Sequence, residues 1–580
     1  MFVSAGMSLI LTLFFVSCSP GKVREITIIA TTDLHGVLLP YDFIEKKPLG
    51  SSLSHASSYF RELREKEGDF ILLDNGDNLQ GQPQVYYFNF IDTASPHLMP
   101  AALNYAGYDA GTVGNHDIEA GHPVYDRLVR EYSFPLLAAN AVKPGSGEPY
   151  FNPYCIIEKK GIRVAVLGLV TPSIPDWLPP ELYDGMIFTD MLSAAQKWMP
   201  VILKEKPDLV VGLFHSGWDT SDLDSGQHED GSASVAYNVP GFDIIFNGHD
   251  HRTANEKFIN RAGDTLLILN GGSRGEKLAQ ADVVFVSGRR KNAKKILSGK
   301  IINTDGFKPD PAFTEKFASS HKAVYEYVSK VIATASAPIS TRDSYFGSSA
   351  FVDLIHSVQL DLSGADLSFT APLSFDVRID EGEITVADMF KLYRYENMLY
   401  TLEMTGEEIR KYLEYSYSGW LNTMEGPGDL LLKLRVGKDG KPELINGKAW
   451  LLNLPYNFDS AAGIDYIVDV SKKEGNRVAI SSFSNGKSFK ESERYLVAVN
   501  SYRASGGGGH FAEGAGVTRE ELMERLRSST DRDLRYYIMK YLGEKKKIHP
   551  LALDNWKIVP EKWVTPAALR ERKLLFGSTN

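Results

Sequence analysis

Five short apolar runs in this chain are each followed, within a few residues, by a side chain that can bind a transition metal. Such runs, ended by glycine or polar turns, are typical of buried strands, and neighbouring strand ends meet at one edge of a sheet. The runs and the groups after them are 26–30 with Asp33 and His35, 70–73 with Asp77, 110–113 with Asn115, 209–214 with His215, and 244–246 with His249 and His251. The pattern predicts an α/β fold with one metal site at a sheet edge.

The types of side chain indicate what this site binds. Together they supply imidazole nitrogens, carboxylate oxygens and one amide oxygen, which are too many ligands for one tetrahedral ion but suit two ions that share a carboxylate. Asp77 is the natural bridge between them. Asp33 and His35 are two residues apart on an extended segment and can bind one ion, and His249 and His251 are related in the same way. Zn, Mn, Fe and Co all accept such ligands, and the sequence does not choose among them.

Two adjacent ions favour the hydrolysis of phosphate esters. They lower the pKa of a shared water and neutralise the oxygens of a bound phosphoryl group, so that no nucleophilic Ser or Cys motif is needed. His116 follows the expected ligand Asn115 and is the candidate to stabilise the transition state or protonate the leaving group. A carboxylate would set its tautomer, and Asp117 and Glu119 are both within reach in sequence.

The same segments resemble a known family. Residues 31–36, 74–81, 114–117, 215–217 and 248–251 are similar, in order and spacing, to the calcineurin-like metallophosphoesterase domain, which implies a two-sheet αββα sandwich. Residues 371–373, 382–389, 404–409, 456–459 and 500–509 resemble the domain that follows it in the 5'-nucleotidase and 2',3'-cyclic phosphodiesterase/3'-nucleotidase family. The resemblance covers most of residues 25–540.

The resemblance also implies how the ligands are divided. Asp33, His35, Asp77 and His251 would surround one ion, and Asp77, Asn115, His215 and His249 the other. His116 takes the position of the catalytic imidazole. Three residues after that histidine, the 5'-nucleotidase branch has Asp and the cyclic phosphodiesterase branch tends to have Asn, whereas this chain has Glu119.

The second domain is expected to bind the substrate. Two aromatic faces that enclose a base gain stacking contacts of about 1–3 kcal/mol each, and they tolerate different bases. Tyr456 or Phe458 and Tyr502 stand where the family places its base clamp, the alternative being ordinary core aromatics. Main-chain N–H groups near Gly506 and Gly507 could approach a ligand, or the glycines could form a plain loop. Candidate phosphate or ribose contacts are Arg378 and Arg503.

The domain organisation can be read from the pattern of apolar residues. We expect a metallophosphoesterase domain over residues 24–304, a linker helix within 305–338 whose apolar periodicity covers 313–333, a second α/β substrate-binding domain over 339–545, and a tail over 546–580 without an interpretable motif. Helical patterns cover 53–65, 191–204, 350–362 and 407–417.

The N-terminus resembles a bacterial lipoprotein signal. Residues 1–18 combine an apolar stretch, too short to span a membrane as an ordinary helix, with Cys18 as the lipid-accepting residue; simple cleavage is the alternative. This predicts export to the periplasm or cell envelope, with membrane contact only through the lipid. The other cysteine, Cys155, reads as a strand residue. A net charge of -10 disfavours a nucleic-acid polymer as partner. The oligomeric state is left open.

Three functions remain open. The first is hydrolysis of nucleotide phosphomonoesters to nucleoside and phosphate, and the second is opening of 2',3'-cyclic nucleotides followed by removal of the 3'-phosphate. Residues 172–178, which include Trp177, look more like the cyclic branch, while Glu119 fits neither branch. The third is a catalytically inactive surface lipoprotein that binds nucleosides or metal; it should show a gap among the ligands, and the sequence has none.

Overall fold

The computed structural model describes residues 23–286 and 294–577. Two six-stranded sheets form the first half of the chain. In spatial order the first sheet contains Lys294–Asn303, Lys277–Val286, Val23–Thr31, Ile71–Asp74, Ala110–Thr112 and Leu136–Leu137. The second contains Thr253–Ile259, Thr265–Gly271, Ile244–Asn247, Leu209–His215, Ile162–Val170 and Tyr154–Lys159.

The two sheets enclose an apolar core, and helices cover their outer faces. Ile28, Leu73 and Ala110 of the first sheet pack with Val211 and Ile244 of the second. Against the outside of the first sheet lie Leu53–Glu67, Leu98–Ala106 and His122–Glu131, and against the second lie Met191–Lys204 and Ser232–Asn238. The arrangement confirms the predicted two-sheet sandwich.

All five apolar runs are strands, and the order of the strands explains why the candidate ligands converge. The strands Val23–Thr31, Ile71–Asp74 and Ala110–Thr112 run parallel to one another, as do Leu209–His215 and Ile244–Asn247 in the other sheet. Parallel neighbours end at the same edge, so the residues after them meet there.

The predicted single linker helix is instead two helices and a strand. Pro311–Lys316 and Ala318–Val328 are separated at Phe317, whose ψ of 16° departs from helical geometry. The segment Val331–Ala335 is a strand that pairs with Gly382–Thr385 and Lys547–Ile548. The apolar periodicity over 313–333 predicts one helix, but the β-branched residues at its end pair with strands that are distant in sequence.

The second half of the chain is built on a five-stranded sheet. In spatial order its strands are Ser460–Ala462, Leu367–Thr370, Arg494–Asn500, Met398–Thr405 and Leu526–Asp533. Its longer helices are Ala350–Ser363, Gly406–Trp420, Leu534–Lys545 and Glu561–Phe576, with the shorter Val386–Leu392 between them. A separate three-stranded sheet contains Val478–Phe483, Ile464–Asp469 and Trp556–Val559.

The C-terminal segment, which the sequence left without interpretation, is part of this second unit. The strand Trp556–Val559 pairs with Ile464–Asp469, and the helix Glu561–Phe576 packs Leu575 and Phe576 into the largest core of the second unit. Glu571 on that helix accepts hydrogen bonds from the backbone of Leu431 and Leu432 at 2.7 and 2.8 Å. In the ranges 23–286 and 294–577 none of the helices has both the length and the apolar character needed to cross a bilayer.

Candidate metal centre and substrate cleft

All seven predicted metal ligands lie at the carboxyl ends of strands, five of them in an unusual backbone conformation. The φ angles are positive at Asp33 (52°), His35 (47°), Asp77 (57°), His249 (72°) and His251 (56°). For residues other than glycine this left-handed region costs on the order of 1–3 kcal/mol each, and it persists where the surroundings enforce it. Clustering of such residues at one strand edge marks a functional site.

Asp33, His35 and His251 form one group of donor atoms, which lie within 4.8 Å of one another. The Nε2 atoms of His35 and His251 are 3.0 Å apart, and Asp33 Oδ1 lies 3.3 Å from His251 Nε2. Asp33 Oδ1 is buried and, apart from this approach to His251, has no hydrogen-bond partner in the described part of the chain. Converging lone pairs and an unpartnered buried carboxylate oxygen fit a bound cation.

Asp77, His215 and His249 form the second group, also within 4.8 Å, and Asn115 adjoins it. His215 Nε2 lies 3.2 Å from Asp77 Oδ2 and 3.2 Å from Asn115 Oδ1, while His249 Nδ1 lies 2.9 Å from the same amide oxygen. Burial alone would raise the pKa of Asp77, but His215, His116 and His35 hold it well below its ordinary value. Asp77 therefore contacts His215 of its own group and is influenced by the charge of His35 in the other.

Backbone carbonyls orient two of the histidines. His35 Nδ1 lies 3.1 Å from the carbonyl oxygen of Gln80, and His215 Nδ1 lies 2.6 Å from that of Asn75. A proton on Nδ1 that is held in this way leaves Nε2 free as the donor atom for a metal. The mixed nitrogen and oxygen donors fit Zn, Mn, Fe or Co and not an all-oxygen calcium site.

Glycine at two positions makes the close packing of the ligand loops possible. A Cβ atom on Gly114 would lie 2.5 Å from the backbone nitrogen of Asp77, and one on Gly248 would lie 2.8 Å from Asp33 Oδ2. Both distances are too short for real Cβ contacts. A side chain at either position would displace a ligand.

Of the two predicted partners for His116, Glu119 is the one in contact. Its Oε2 is hydrogen-bonded to His116 Nδ1, and both residues lie on the short helix Asn115–Glu119. Burial lowers the pKa of His116, but Asp77 and Glu119 outweigh it and raise the pKa to about 9. The imidazole is thus oriented with Nε2 away from Glu119.

Asp117, the other catalytic candidate from the sequence, has a different position. Its carboxylate accepts backbone hydrogen bonds from Asp77, Asn78, Leu79 and Gly114 at 2.8 to 3.1 Å. Because these bonds occupy both oxygens, Asp117 fixes the loop that carries Asp77 and does not orient the imidazole of His116.

The metal groups open into a cleft of 580 Å³ between the two halves of the chain. The first half lines it with His35, Asn115, His116, Glu119, Trp177, His249 and His251, among others. The second half contributes Leu373, Arg394, Tyr395, Asn397, Leu454, Tyr456, Asn500 and Tyr502. The ring of Trp177 stacks on His249 with centroids 5.4 Å apart. A ligand in this cleft would contact both halves.

The aromatic residues predicted to bind the base separate into two groups. Tyr456 and Tyr502 line the cleft, with ring centroids 6.3 Å apart and planes at 89°. Phe458 is 1% exposed and stacks on Trp420 at 4.9 Å. Phe458 is therefore a core residue, and of the two alternatives for this side of the clamp Tyr456 is the one that reaches the cleft.

The two predicted arginine contacts are not in the cleft lining. Arg503 is buried, pairs with both oxygens of Asp459 at 3.0 Å, and donates to the carbonyl oxygens of Tyr456 and Gly507 at 2.7 Å each. Arg378 is largely exposed and pairs with Asp380 at 2.6 Å. Arg503 therefore holds the segment Pro455–Asn457 that carries Tyr456, next to Tyr502 on its own short helix Ser501–Ala504. Arg378 lies outside the site.

The glycine run also has a packing role. A Cβ atom on Gly507 would overlap the ring of Tyr502, and Gly506 adopts a φ of 115°. The loop thus packs directly on the cleft tyrosine. Neither Gly506 nor Gly507 belongs to the residues that line the cleft. Cys18, the predicted lipidation site, lies outside the described residues.

Several cleft residues carry little or no signal in the sequence. Gln80 and Asn500 belong to segments that resemble the family, and this context is the signal in the sequence that points to them. Arg274, Arg394, Tyr395 and Asn397 stand in loops without a periodic or motif signal, and their position depends on how the two halves pack.

Comparisons with known proteins agree with this geometry. Residues 26–253 match the family described as calcineurin-like phosphoesterase, and residues 331–513 match the 5'-nucleotidase C-terminal domain. The 2',3'-cyclic-nucleotide 2'-phosphodiesterase/3'-nucleotidase of Haemophilus influenzae is 26% identical, over 96% of this chain and 91% of its own length. The trifunctional nucleotide phosphoesterase of Bacillus subtilis is 26% identical over 92% of this chain, which spans only 39% of that protein.

A solved structure has the same fold over nearly the whole chain. The crystal structure of a putative 5'-nucleotidase from Staphylococcus aureus, in complex with alpha-ketoglutarate, matches with a TM-score of 0.74 and 21% identity. The match covers 92% of this chain and all of that one. Both halves, and not the first alone, therefore have counterparts in that protein.

Proposed function

Because the chain belongs to the family of metal-dependent phosphoric ester hydrolases that join a calcineurin-like phosphoesterase domain to a 5'-nucleotidase C-terminal domain, we propose that it hydrolyses nucleotide phosphate esters to nucleoside and phosphate. One observation carries the proposal. The seven candidate ligands converge on a cleft whose opposite wall holds the aromatic residues of the second domain.

Two divalent ions would complete the site. Asp33, His35 and His251 would hold one, His215, His249 and Asn115 the other, and Asp77 would be shared. The donor geometry fits, since one carboxylate oxygen is buried without a partner among the described residues and imidazole nitrogens converge. Cations there would supply charge neutralisation for phosphate oxygens and an acidified water.

Side chains of this protein would provide proton transfer, support for the Asp77 loop and contact with the base. His116, oriented through Nδ1 by Glu119, would present Nε2 to the cleft and hold or deliver a proton at the leaving oxygen. Asp117 would keep the Asp77 loop in place. Tyr456 and Tyr502 would contact the base, with their backbone fixed by Arg503.

The first substrate to test is a 2',3'-cyclic nucleotide. The Haemophilus influenzae relative, aligned over more than nine-tenths of both chains, has that activity in its name, and Trp177 beside His249 agrees with the resemblance to that branch. Turnover of 5'-AMP, 3'-AMP and 2',3'-cyclic AMP should be measured with Mn, Zn or Co added. Release of phosphate from one or more supports the proposal, and absence of turnover on all three with every metal contradicts it.

We also propose that the chain is exported and lipid-anchored through Cys18, as the N-terminal sequence indicates. Labelling of cells with radioactive palmitate, on the wild type and on Cys18→Ser, tests this. Label on the wild type alone is expected. Equal label, or none on either protein, would contradict lipidation, and the size of the product would then show whether the signal is simply cleaved.

A further inference from the structure

The loop 393–397 of the second domain faces the metal groups across the cleft. It follows the helix Val386–Leu392 and precedes the strand Met398–Thr405. Arg394, Tyr395 and Asn397 line the cleft together with His116 and Glu119 of the first domain. The loop is thus one of the segments of the second domain that line the same cavity as the candidate catalytic pair.

A buried arginine fixes the backbone of this loop. Arg535 donates through Nε to the carbonyl oxygen of Tyr393 at 2.8 Å and through Nη2 to that of Arg394 at 2.6 Å. Its Nη1 pairs with Glu396 Oε1 at 2.7 Å. The guanidinium also lies 4.1 Å from the ring centroid of Phe390. Three hydrogen bonds to one short loop leave its backbone little freedom.

The first domain holds the same loop from the other side. Gln80 Nε2 donates to the carbonyl oxygen of Arg394 at 3.4 Å, and the carbonyl oxygen of Gln80 is the atom that orients His35. Tyr86 lies under the guanidinium of Arg535 at 4.9 Å and donates its hydroxyl to Asp533 at 3.0 Å. Both domains therefore position the backbone of Arg394, and Gln80 connects it to a candidate metal ligand.

The side chain of Arg394, in contrast, is uncommitted. It is exposed to the cleft, and its guanidinium makes no hydrogen bond or ion pair with the described residues. The guanidinium lies 5.8 Å from the ring centroid of Tyr395, so the tyrosine limits its range. The two arginines that the sequence suggested as phosphate contacts are already occupied, Arg503 by Asp459 and Arg378 by Asp380.

We propose that Arg394 binds the phosphate of the substrate from the second domain and so determines specificity for nucleotides over nucleosides, with Arg535 as the positioning residue. A guanidinium fork suits two phosphate oxygens. The cleft is lined by the carboxylates of Glu119, Glu229 and Asp250. Its arginines are Arg274 on the first domain and Arg394 on the second, so Arg394 is the cationic side chain that the second domain offers to an anionic ligand. The inference rests on the proposed function and assigns a role within it.

The test separates recognition of the anion from recognition of the nucleoside. Arg394→Gln and Arg394→Lys would be compared with the wild type, and Arg378→Gln is the matched control because its arginine lies outside the cleft. For each protein one measures KM, kcat and the inhibition constants of inorganic phosphate and of adenosine. Loss of a charge-assisted bidentate contact corresponds to roughly 10- to 100-fold.

In Arg394→Gln we expect KM and the inhibition constant of phosphate to rise by about that 10- to 100-fold factor, with adenosine inhibition unchanged and kcat less affected. In Arg394→Lys both constants should lie between those of the wild type and those of Arg394→Gln. In Arg378→Gln they should match the wild type. In Arg535→Lys, phosphate and adenosine inhibition should weaken together, because the whole loop loses its support.

Unchanged phosphate inhibition in Arg394→Gln would overturn the proposal, and so would equal weakening of phosphate and adenosine. Unfolding curves of each variant check the fold; if Arg394→Gln does not fold, Arg394→Lys has to show the loss for phosphate alone. If the wild type hydrolyses no nucleotide, the proposed function fails, whereas calorimetric titration with phosphate still tests Arg394.

Discussion

The cleft has two walls, which are held in place by different means. The first wall contains the candidate metal ligands and His116 of the first domain, and the second wall contains Arg394, Tyr456 and Tyr502 of the second domain. In the first domain, the candidate metal ligands stand at strand ends, five of the seven have left-handed backbone angles, and their loops pack against Gly114 and Gly248. In the second domain, buried arginines hold the backbone of two cleft residues. Arg503 donates to the carbonyl oxygen of Tyr456, and Arg535 donates to that of Arg394. The backbone geometry of the strand ends positions the first wall, and ion pairs between residues distant in sequence position the second.

This difference has a consequence for function. Strand ends of a packed sandwich position a metal site rigidly, whereas loops fixed by a few ion pairs can be altered without disturbing the core. The chemistry is thus expected to depend on the first wall and the choice of substrate on the second. Substitutions on each wall should therefore change different parameters.

The largest effect is expected at His116, the candidate catalytic imidazole. His116→Asn should lower kcat by about 10²- to 10⁴-fold, because general acid catalysis contributes that range, while metal content stays at the wild-type level. Steady-state kinetics together with elemental analysis measure both. A kcat within the wild-type range would remove His116 from the mechanism and leave the first wall with metal binding alone.

The second wall can be broken at its buried ion pair. Asp459→Asn removes the anionic partner of Arg503 and should destabilise the local structure by about 3–5 kcal/mol, because the charge of a buried guanidinium is left uncompensated. Hydrogen exchange of residues 455–462 and 500–510 measures this, with Asp380→Asn, at an exposed pair, as the control. Exchange in these segments that is as slow as in the wild type would contradict the claim that ion pairs hold this wall.

A glycine substitution tests whether the close packing of the backbone positions the candidate metal ligands of the first wall. The added Cβ in Gly114→Ala would clash with Asp77, and the displaced ligand should reduce metal affinity or activity by about 10- to 100-fold. Metal titration is the measurement. Gly145→Ala provides the reference, since a Cβ there meets no atom within 4 Å, although its positive φ strains the loop slightly. Wild-type affinity in Gly114→Ala would mean that the loop can shift freely.

The smallest effect is expected for the contact between Tyr502 and the base of the nucleotide. Tyr502→Ala should raise KM by on the order of ten-fold through lost stacking, and Tyr502→Phe should retain the wild-type KM. The buried Phe458 differs from Tyr502 in this respect, because truncating it to Ala should lower stability by about 3–5 kcal/mol. If Tyr502→Ala and the wild type bind nucleotides equally, the aromatic pair does not contact the base.

The sequence is sufficient to predict the first wall and only partly sufficient for the second. His215 and His249 can be identified because a parallel strand runs straight into each, a local pattern that also fixes where the side chain lies. The sequence predicts that Arg503 contacts the ligand, but in the structure it is buried against Asp459. This contact joins residues 44 positions apart, so the local sequence does not reveal it. Arg394 has no local signal, because its place in the cleft arises from the packing of two domains.

Secondary structure shows the same division. The helix Met191–Lys204 coincides with its predicted span, and periodicity alone is enough to predict it. The segment Val331–Ala335 has a helical pattern although it is a strand, because its partners Gly382–Thr385 and Lys547–Ile548 are distant in sequence. Where pairing is long-range, local pattern is not enough.

If Asp77 joins two metal ions beneath the cleft, its substitution must change the metal content of the protein. Elemental analysis of the wild type after incubation with Mn or Zn and desalting, beside Asp77→Asn treated in the same way, is the measurement. We expect two ions per wild-type chain and the loss of at least one in the variant, together with a fall in nucleotide hydrolysis. Two ions per chain and undiminished hydrolysis in Asp77→Asn would contradict it.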